Sequence, residues 1–195
     1  MKFGFELEAF LCNPAGDFVL APQGIPMDDC GWLVEYRGEP AGTATKAAGL
    51  LEAERQRVNR KLSLLDLKPV LVPYAKIDRA TKLAARREHT KGLLRYQNLY
   101  GLKPTTADAA GLHISFTKPR EINTQQLGTV VVNQLWDFPQ LFRALDQLYA
   151  KEIKAAKRRP GFYEIKEDQR IEYRSLPNTV DVWALTDFLD GWRYC

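Results

Sequence analysis

The segment KFGFELEAFLC, residues 2–12, decides the fold class that we expect for this chain. Its carboxylates and apolar side chains alternate, which is the period of a β-strand with two different faces. Glu6 and Glu8 share one face of this predicted strand, while apolar side chains occupy the other. Turn residues at 13–17 precede a second apolar run at 18–20, and this pattern predicts a β-hairpin.

The rest of the chain mixes strands and helices without regular alternation. Further strands are predicted at 31–37, 69–74, 111–117 and 169–176. Helices are predicted at 43–65, 78–96, 123–136, 139–157 and 179–192, with a break near Pro139. This order favours an α+β fold over a doubly wound one. We expect a mainly antiparallel sheet with helices packed on one face, in a single domain spanning residues 1–195.

Ionisable side chains recur on one face of four predicted strands. They are Glu6 and Glu8, Glu35 and Arg37, His113 and Ser115, and Glu172 and Arg174. A single antiparallel strand with one wet face normally looks like this. Glu is not a favoured strand residue, however, and two glutamates on one strand face repel each other unless a cation lies between them. Carboxylate oxygens suit Mg²⁺ and arginine suits phosphate, so the pattern predicts a site for both.

Composition limits the protein's class without naming its function. The 195 residues are 45% hydrophobic and carry a formal net charge of only +4, which excludes disorder and does not indicate a nucleic-acid or membrane protein. Cys12, Cys30 and Cys195 lack metal-ligand spacing and are interpreted as free thiols. Because residues 1–8 contain two carboxylates and no apolar signal run, we expect a cytoplasmic protein.

Four segments resemble one known superfamily. They are GFELE at 4–8, DDCGWLVE at 28–35, AGLHIS at 110–115 and RIEYRSLP at 170–177. Together, and in this order, they resemble the motifs of the glutamine synthetase and γ-glutamylcysteine synthetase superfamily. The phage-type carboxylate–amine ligases, or amidoligases, are the most similar group, and this resemblance implies a phage or prophage origin.

The resemblance implies an ATP-dependent ligase with a glutamine synthetase-like catalytic sheet. Its substrates would be amino-acid or peptide carboxylates and amines, joined through an acyl phosphate. The implied Mg²⁺ ligands are Glu6, Glu8, Glu35, His113 and Glu172. Arg174, Glu35 and His113 would be catalytic, and Arg174, Arg37 and Ser115 would contact ATP. Asp28 or Asp29 would hold a metal or the incoming amine.

The sequence departs from the superfamily pattern in two respects. Ser115 stands where relatives often carry a second histidine, which removes one candidate ligand. The chain is also short for this superfamily, which favours either a minimal domain or a homo-oligomer that completes the pocket.

Two alternative functions remain open from the residues alone. A metal-dependent nuclease or phosphotransferase also combines clustered carboxylates with basic helices, but we find no carboxylate-plus-lysine strand motif in the sequence. A catalytically weakened binding protein would use residues 76–95, which contain seven Lys or Arg residues and only two carboxylates. We expect that basic segment to bind an acidic partner or to form a solvated helix face, and we expect no membrane or nucleic-acid partner.

Overall fold

The structure is a computed structural model, and it describes most of the chain. The described residues are 1–28, 33–80, 97–103, 109–117, 127–166 and 170–192, without the side chains of 127–137. Within them lies an α+β fold with one eight-stranded sheet, and all of its strand pairings are antiparallel. The predicted fold class is therefore confirmed at this level. No helix among these residues is long and apolar enough to cross a membrane.

Eight strands and four helices make up the described fold. The strands are β1 Lys2–Cys12, β2 Phe18–Val19, β3 Leu33–Arg37, β4 Lys68–Val70, β5 Gln97–Asn98, β6 Gly111–Thr117, β7 Phe162–Ile165 and β8 Ile171–Pro177. The helices are α1 Ala44–Ser63, α2 Leu127–Leu148, α3 Ala150–Ala155 and α4 Val182–Trp192.

Strand β1 is the hub of the sheet. It pairs with β2, β3, β4 and β6, and the path continues from β6 through β8 and β7 to β5. Glu6 lies opposite both Arg37 of β3 and His113 of β6, and Glu8 lies opposite Glu35. This register brings the polar residues of three strands, far apart in the sequence, onto the same patch of one sheet face.

Strand β8 extends the same polar face beyond β6. Glu172 lies opposite Ser115 on one side and opposite Glu164 of β7 on the other. A register irregularity falls between Leu112 and Ile114, directly at His113. Bulges of this kind often re-aim a side chain next to a functional site.

Helices cover the apolar face of the sheet. Phe3, Phe5 and Leu7 of β1 belong to one core cluster, and that cluster includes the buried stripe of α1. The stripe consists of Ala44, Ala47, Ala48, Leu51, Val58 and Leu62. The Thr43 hydroxyl accepts a hydrogen bond from the Lys46 backbone N–H and caps the helix.

Helix α1 is also capped by another helix. The Asp190 carboxylate of α4 accepts hydrogen bonds from the backbone N–H groups of Ala44 and Thr45 at 2.6 and 3.0 Å. It also accepts one from the Thr45 hydroxyl at 2.8 Å. These bonds fix the end of α4 against the start of α1, because the first N–H groups of a helix have no partner within it.

Two predictions about helices are wrong. The predicted break at Pro139 does not occur, because Pro139 lies inside α2 and the chain breaks at Tyr149 instead. Leu141, Phe142 and Leu145 beyond the proline are buried, and their core packing offsets the local cost of the proline. The hydrophobic periodicity of the helix predicted at 43–65 places Leu65 on its apolar stripe, but Leu65 follows the end of α1 and is half exposed.

Several predicted strand bounds shift, and two strands were not predicted. Strand β4 covers 68–70 where 69–74 was predicted, while β6 has the predicted bounds. Strands β5 and β7 fall between the predicted elements. Most of the predicted basic helix at 78–96 lies outside the described residues, as does the start of the predicted strand at 31–37.

Candidate metal and phosphate site

All eight side chains expected at the site belong to the four strands expected to carry them, and contacts link those strands. Arg37 contacts Glu6 and Glu35, with nitrogen–oxygen distances of 3.9 and 2.5 Å. The Ser115 hydroxyl lies 3.4 Å from a Glu172 carboxylate oxygen. Strand alternation predicts that these side chains share a face within each strand. The contacts between strands are consistent with one cluster that spans the sheet.

His113 lies at the centre of the carboxylates and is almost completely buried, at 1% exposure. Its Nδ1 atom is 3.8 Å from Glu6 and 3.7 Å from Glu172, while Nε2 is 3.6 Å from Glu8. These distances exceed those of normal hydrogen bonds. Nδ1 is accordingly a buried polar atom without a hydrogen-bond partner.

Three of these residues could hold a metal ion between them. Ligand atoms of Glu6, Glu35 and His113 all lie within 4.8 Å of one another. Two carboxylates and an imidazole with an unpartnered nitrogen are a donor set that fits a divalent cation, and the carboxylates suit Mg²⁺. Glu8 and Glu172 lie on either side of His113 and supply further carboxylate oxygens.

Crowding and burial disfavour the negative charge of two glutamates. Burial, reinforced by the Glu6 and Glu8 carboxylates, raises the pKa of Glu35 to about 9. Burial and the nearby Asp28 carboxylate raise the pKa of Glu8 to about 7, against the opposing effect of Arg174. A bound cation would favour the ionised forms, so these shifts indicate a group of carboxylates that a positive charge would stabilise.

The pKa of the His113 imidazole shifts in the opposite direction. Burial, followed by the positive charge of Arg174, lowers the pKa of His113 well below its ordinary value. His113 is therefore neutral near pH 7, which is the form in which histidine binds a metal.

Arg174 connects three carboxylates of the site. It forms ion pairs with Glu172, with Glu164 at 3.5 Å and with Glu8 at 3.9 Å. Its side chain is only 16% exposed, whereas that of Arg37 is 60% exposed. Arg174 is thus the better placed of the two arginines to meet a phosphate deep in the site.

Strand β7 and the residue that directly follows it add two site residues that the sequence analysis missed. Glu164 is buried, and the Lys166 ammonium lies 2.8 Å from Glu164 and 3.4 Å from Glu172. The alternation in FYEIK, residues 162–166, was the available signal. Glu164 lies in β7 and Lys166 directly follows the strand, so a carboxylate and a lysine stand two residues apart here.

Arg158 is a third residue that the sequence analysis did not place at the site. Its guanidinium donates to the backbone carbonyls of Arg174 and Ser175 at 2.5 and 3.2 Å. It also approaches Gly111, where an added Cβ would lie 2.8 Å from the guanidinium and 2.7 Å from His113 Nε2. No local pattern in the sequence predicts this long-range contact.

This close approach requires a glycine at position 111. Gly111 also forms a hydrogen bond with Glu8, which is a candidate metal ligand. Its backbone N–H donates to the Glu8 carboxylate at 2.6 Å. The glycine therefore lets Arg158 and His113 come together while orienting Glu8.

The remaining predicted residues have mixed outcomes. Asp28 is buried, accepts a hydrogen bond from the Leu33 N–H at 3.1 Å and raises the pKa of Glu8, which places it beside the site. Asp29 and residues 81–95 of the basic segment lie outside the described residues. No protein-family model matches the sequence, and no curated protein shows significant similarity to it. The resemblance to the amidoligases therefore stays a prediction.

Proposed function

We propose that this chain is an ATP- and Mg²⁺-dependent carboxylate–amine ligase with a glutamine synthetase-like catalytic sheet. The observation that carries the proposal is the convergence of Glu6, Glu8, Glu35 and Glu172 around His113 on one sheet face. This arrangement fits nucleotide chemistry because phosphates and carboxylates need positive charge between them.

The donor set suggests where Mg²⁺ would bind. Glu6, Glu35 and His113 would hold one ion, with Glu8 and Glu172 beside them. The ion would neutralise the phosphate charge of ATP when bound. The low exposure of these side chains would exclude water from the site.

The proposed reaction has two transfers. An oxygen of the substrate carboxylate bonds to the γ-phosphorus of ATP, and the bond to ADP breaks. The amine nitrogen then bonds to the acyl carbon of the acyl phosphate, inorganic phosphate leaves, and the nitrogen loses a proton. Arg174 would contact the transferred phosphoryl group, and Lys166 would add a second positive charge there.

The proposal is tested by incubating the protein with Mg-ATP and pooled amino acids or peptides, and measuring ADP, phosphate and amide product. We expect ADP release that requires both a carboxylate and an amine. Glu8→Gln and Glu172→Gln should each lower turnover by at least about 100-fold and weaken Mg-ATP binding. Glu54→Gln is the matched control, because Glu54 forms an ion pair with Arg57 on α1 outside the site. Normal Mg-ATP binding by the two site variants would contradict the assignment.

One observation favours a second candidate, a metal-dependent nuclease or phosphotransferase. Glu164 of β7 and Lys166, which directly follows the strand, stand two residues apart beside the candidate metal-binding group. A carboxylate and a lysine two residues apart are compatible with metal-assisted cleavage of a phosphodiester. Cleavage of DNA or RNA with Mg²⁺ and without ATP would establish this candidate and overturn the ligase.

The expected partners and location are part of the same proposal. Amino-acid or peptide carboxylates and amines would be the substrates, in the cytoplasm. An acidic partner for residues 76–95 and a homo-oligomer stay predictions.

A further inference from the structure

A second pair of buried carboxylates lies beside the candidate metal-binding group. Glu164 of β7 and Glu172 of β8 stand directly opposite each other in the sheet, and both are buried. We call them the β7–β8 pair. Burying two ionised carboxylates next to each other is costly unless positive charge lies beside them. In two-metal phosphate-transfer sites, a second divalent ion about 3.5–4 Å from the first supplies such charge.

Two side chains of the protein already supply positive charge to the β7–β8 pair. The Lys166 ammonium bridges the two carboxylates, at 2.8 Å from Glu164 and 3.4 Å from Glu172. Arg174 also contacts both, through an ion pair with Glu172 and a distance of 3.5 Å to Glu164. Two negative charges are thus matched by two positive charges at short range.

The charges around the candidate metal-binding group have a different balance. Arg37 contacts both Glu6 and Glu35, but its side chain extends to the solvent. His113 is neutral near pH 7, and Glu8 adds a third carboxylate 3.6 Å from the imidazole. Among these described residues, three ionised carboxylates and one arginine leave two negative charges, which a single divalent ion would balance.

The other charges near Glu8 do not change this balance. The Asp28 carboxylate raises the pKa of Glu8 and the Arg158 guanidinium lowers it, so these two charges act in opposite directions. Arg174 lies 3.9 Å from Glu8, which is farther than its contacts with the β7–β8 pair. Its charge therefore belongs mainly to that pair.

We propose that Lys166 takes the place of a second divalent ion, so that the protein without nucleotide binds one Mg²⁺, at Glu6, Glu35 and His113. A Mg²⁺ at the β7–β8 pair would add two positive charges to a balanced group and would have to displace the ammonium. Lys166 directly follows β7, so its ammonium stays at a high effective concentration beside the pair. This role rests on the metal site of the proposed function, and it makes one positive charge of that site a permanent part of the chain.

The test counts the saturable Mn²⁺ sites of the full chain at neutral pH without nucleotide, from the electron paramagnetic resonance signal of free Mn²⁺. Mn²⁺ suits the same oxygen ligands as Mg²⁺. We expect one ion for each unmodified chain and two for Lys166→Met, because methionine removes the ammonium and leaves the β7–β8 pair short of positive charge. Lys166→Arg retains the charge and should bind one ion.

Two further variants locate the second ion. Glu164→Gln, added to Lys166→Met, should return the count from two ions to one, because it removes a carboxylate of the β7–β8 pair. Lys46→Met is the matched control and should bind one ion, because Lys46 is an exposed lysine on α1.

The counts separate this role of Lys166 from the proposed function. Two ions in the unmodified protein would overturn the role, as would an unchanged count in folded Lys166→Met protein or a second ion that survives Glu164→Gln. Circular dichroism checks folding, and Lys166→Gln is the second neutral variant if Lys166→Met does not fold. No ion in the unmodified protein but one in Lys166→Met would contradict the metal site of the proposed function and still support the role of Lys166.

Discussion

The two faces of β1 are both buried, yet they differ in what buries them. Phe5 on the helix-covered face is fully buried within an apolar cluster. Glu8, three residues further on, is also buried, but its neighbours include another carboxylate and its pKa rises to about 7. The apolar face packs against apolar helix residues of the same chain, whereas the polar face carries charge that a bound cation would balance. Burial alone therefore does not separate a residue that stabilises the fold from one that serves a ligand.

The largest expected effect is on the apolar face. Phe5→Ala should lower the free energy of unfolding by about 3–5 kcal/mol, because it removes a fully buried ring and leaves a cavity. Urea unfolding in EDTA would measure this. Glu35→Gln is the contrasting variant, and we expect no loss of metal-free stability above pH 7, because the neutral amide avoids the cost of burying a glutamate that must take up a proton on folding. A larger loss of stability for Glu35→Gln than for Phe5→Ala would contradict the proposed difference between the two faces.

The pH dependence of stability should distinguish the polar face. The pKa of Glu35 in the folded protein is about 9, above the ordinary value of 4.5. Between these values the folded state retains a proton that the unfolded state has lost, so raising the pH favours unfolding. Within this range, Glu35 should lower the free energy of unfolding by up to about 1.4 kcal/mol for each unit of rising pH.

Urea unfolding from pH 5 to pH 9 in EDTA would test this slope against that of Glu35→Gln. The variant should show the shallower fall in stability with pH. Mg²⁺ should reduce the fall in the unmodified protein, because metal binding displaces protons from its carboxylate ligands. Parallel pH profiles for the two proteins would show that Glu35 does not retain its proton as expected.

A smaller effect is expected where the backbone approaches the site. Gly111→Ala would place a Cβ 2.7 Å from His113 Nε2, so either the histidine or Arg158 must move. We expect about 1–3 kcal/mol of destabilisation and weaker Mg²⁺ binding, measured by unfolding and calorimetry. Gly42→Ala is the control, because an added Cβ there meets nothing within 4 Å. Unchanged Mg²⁺ affinity in Gly111→Ala would separate the glycine from the site.

The smallest effect concerns the helices that cover the apolar face. Asp190→Ala removes the acceptor for the Ala44 and Thr45 N–H groups and should lower stability by about 1 kcal/mol. Thermal unfolding would measure it, while Mg²⁺ affinity should stay unchanged. A loss of Mg²⁺ binding would mean that the two faces are coupled more tightly than their separate contacts indicate.

Local sequence patterns predicted which side chains share one face of a strand. They predicted less well which elements distant in the sequence pack next to that strand. Alternation along 111–117 was enough to place His113 and Ser115 on one face, because side-chain direction in a strand is a local property. The contact of Arg158 with the carbonyls of Arg174 and Ser175 could not be predicted, because it depends on how a helix end meets β8. Strand β7 was missed because four residues give a weak periodic signal.

The failure at Pro139 has a similar origin. The local rule for proline predicts a helix break, but the Phe142 ring beyond it stacks on Tyr173 with ring centroids 4.9 Å apart. Such tertiary packing is not visible in a short window of sequence, and it can outweigh a local preference.

The pairing of β1 has a consequence for synthesis on the ribosome. Glu6 meets His113 only through pairing with β6, and β6 meets Glu172 only through pairing with β8. These partners are separated by more than 50 residues at each step, so the sheet has the high contact order that slows folding. The cluster of glutamates around His113 is therefore incomplete until residues 171–177, which carry Glu172, have left the ribosome. Until then the glutamates of β1 would remain solvated single carboxylates, with little affinity for a divalent ion.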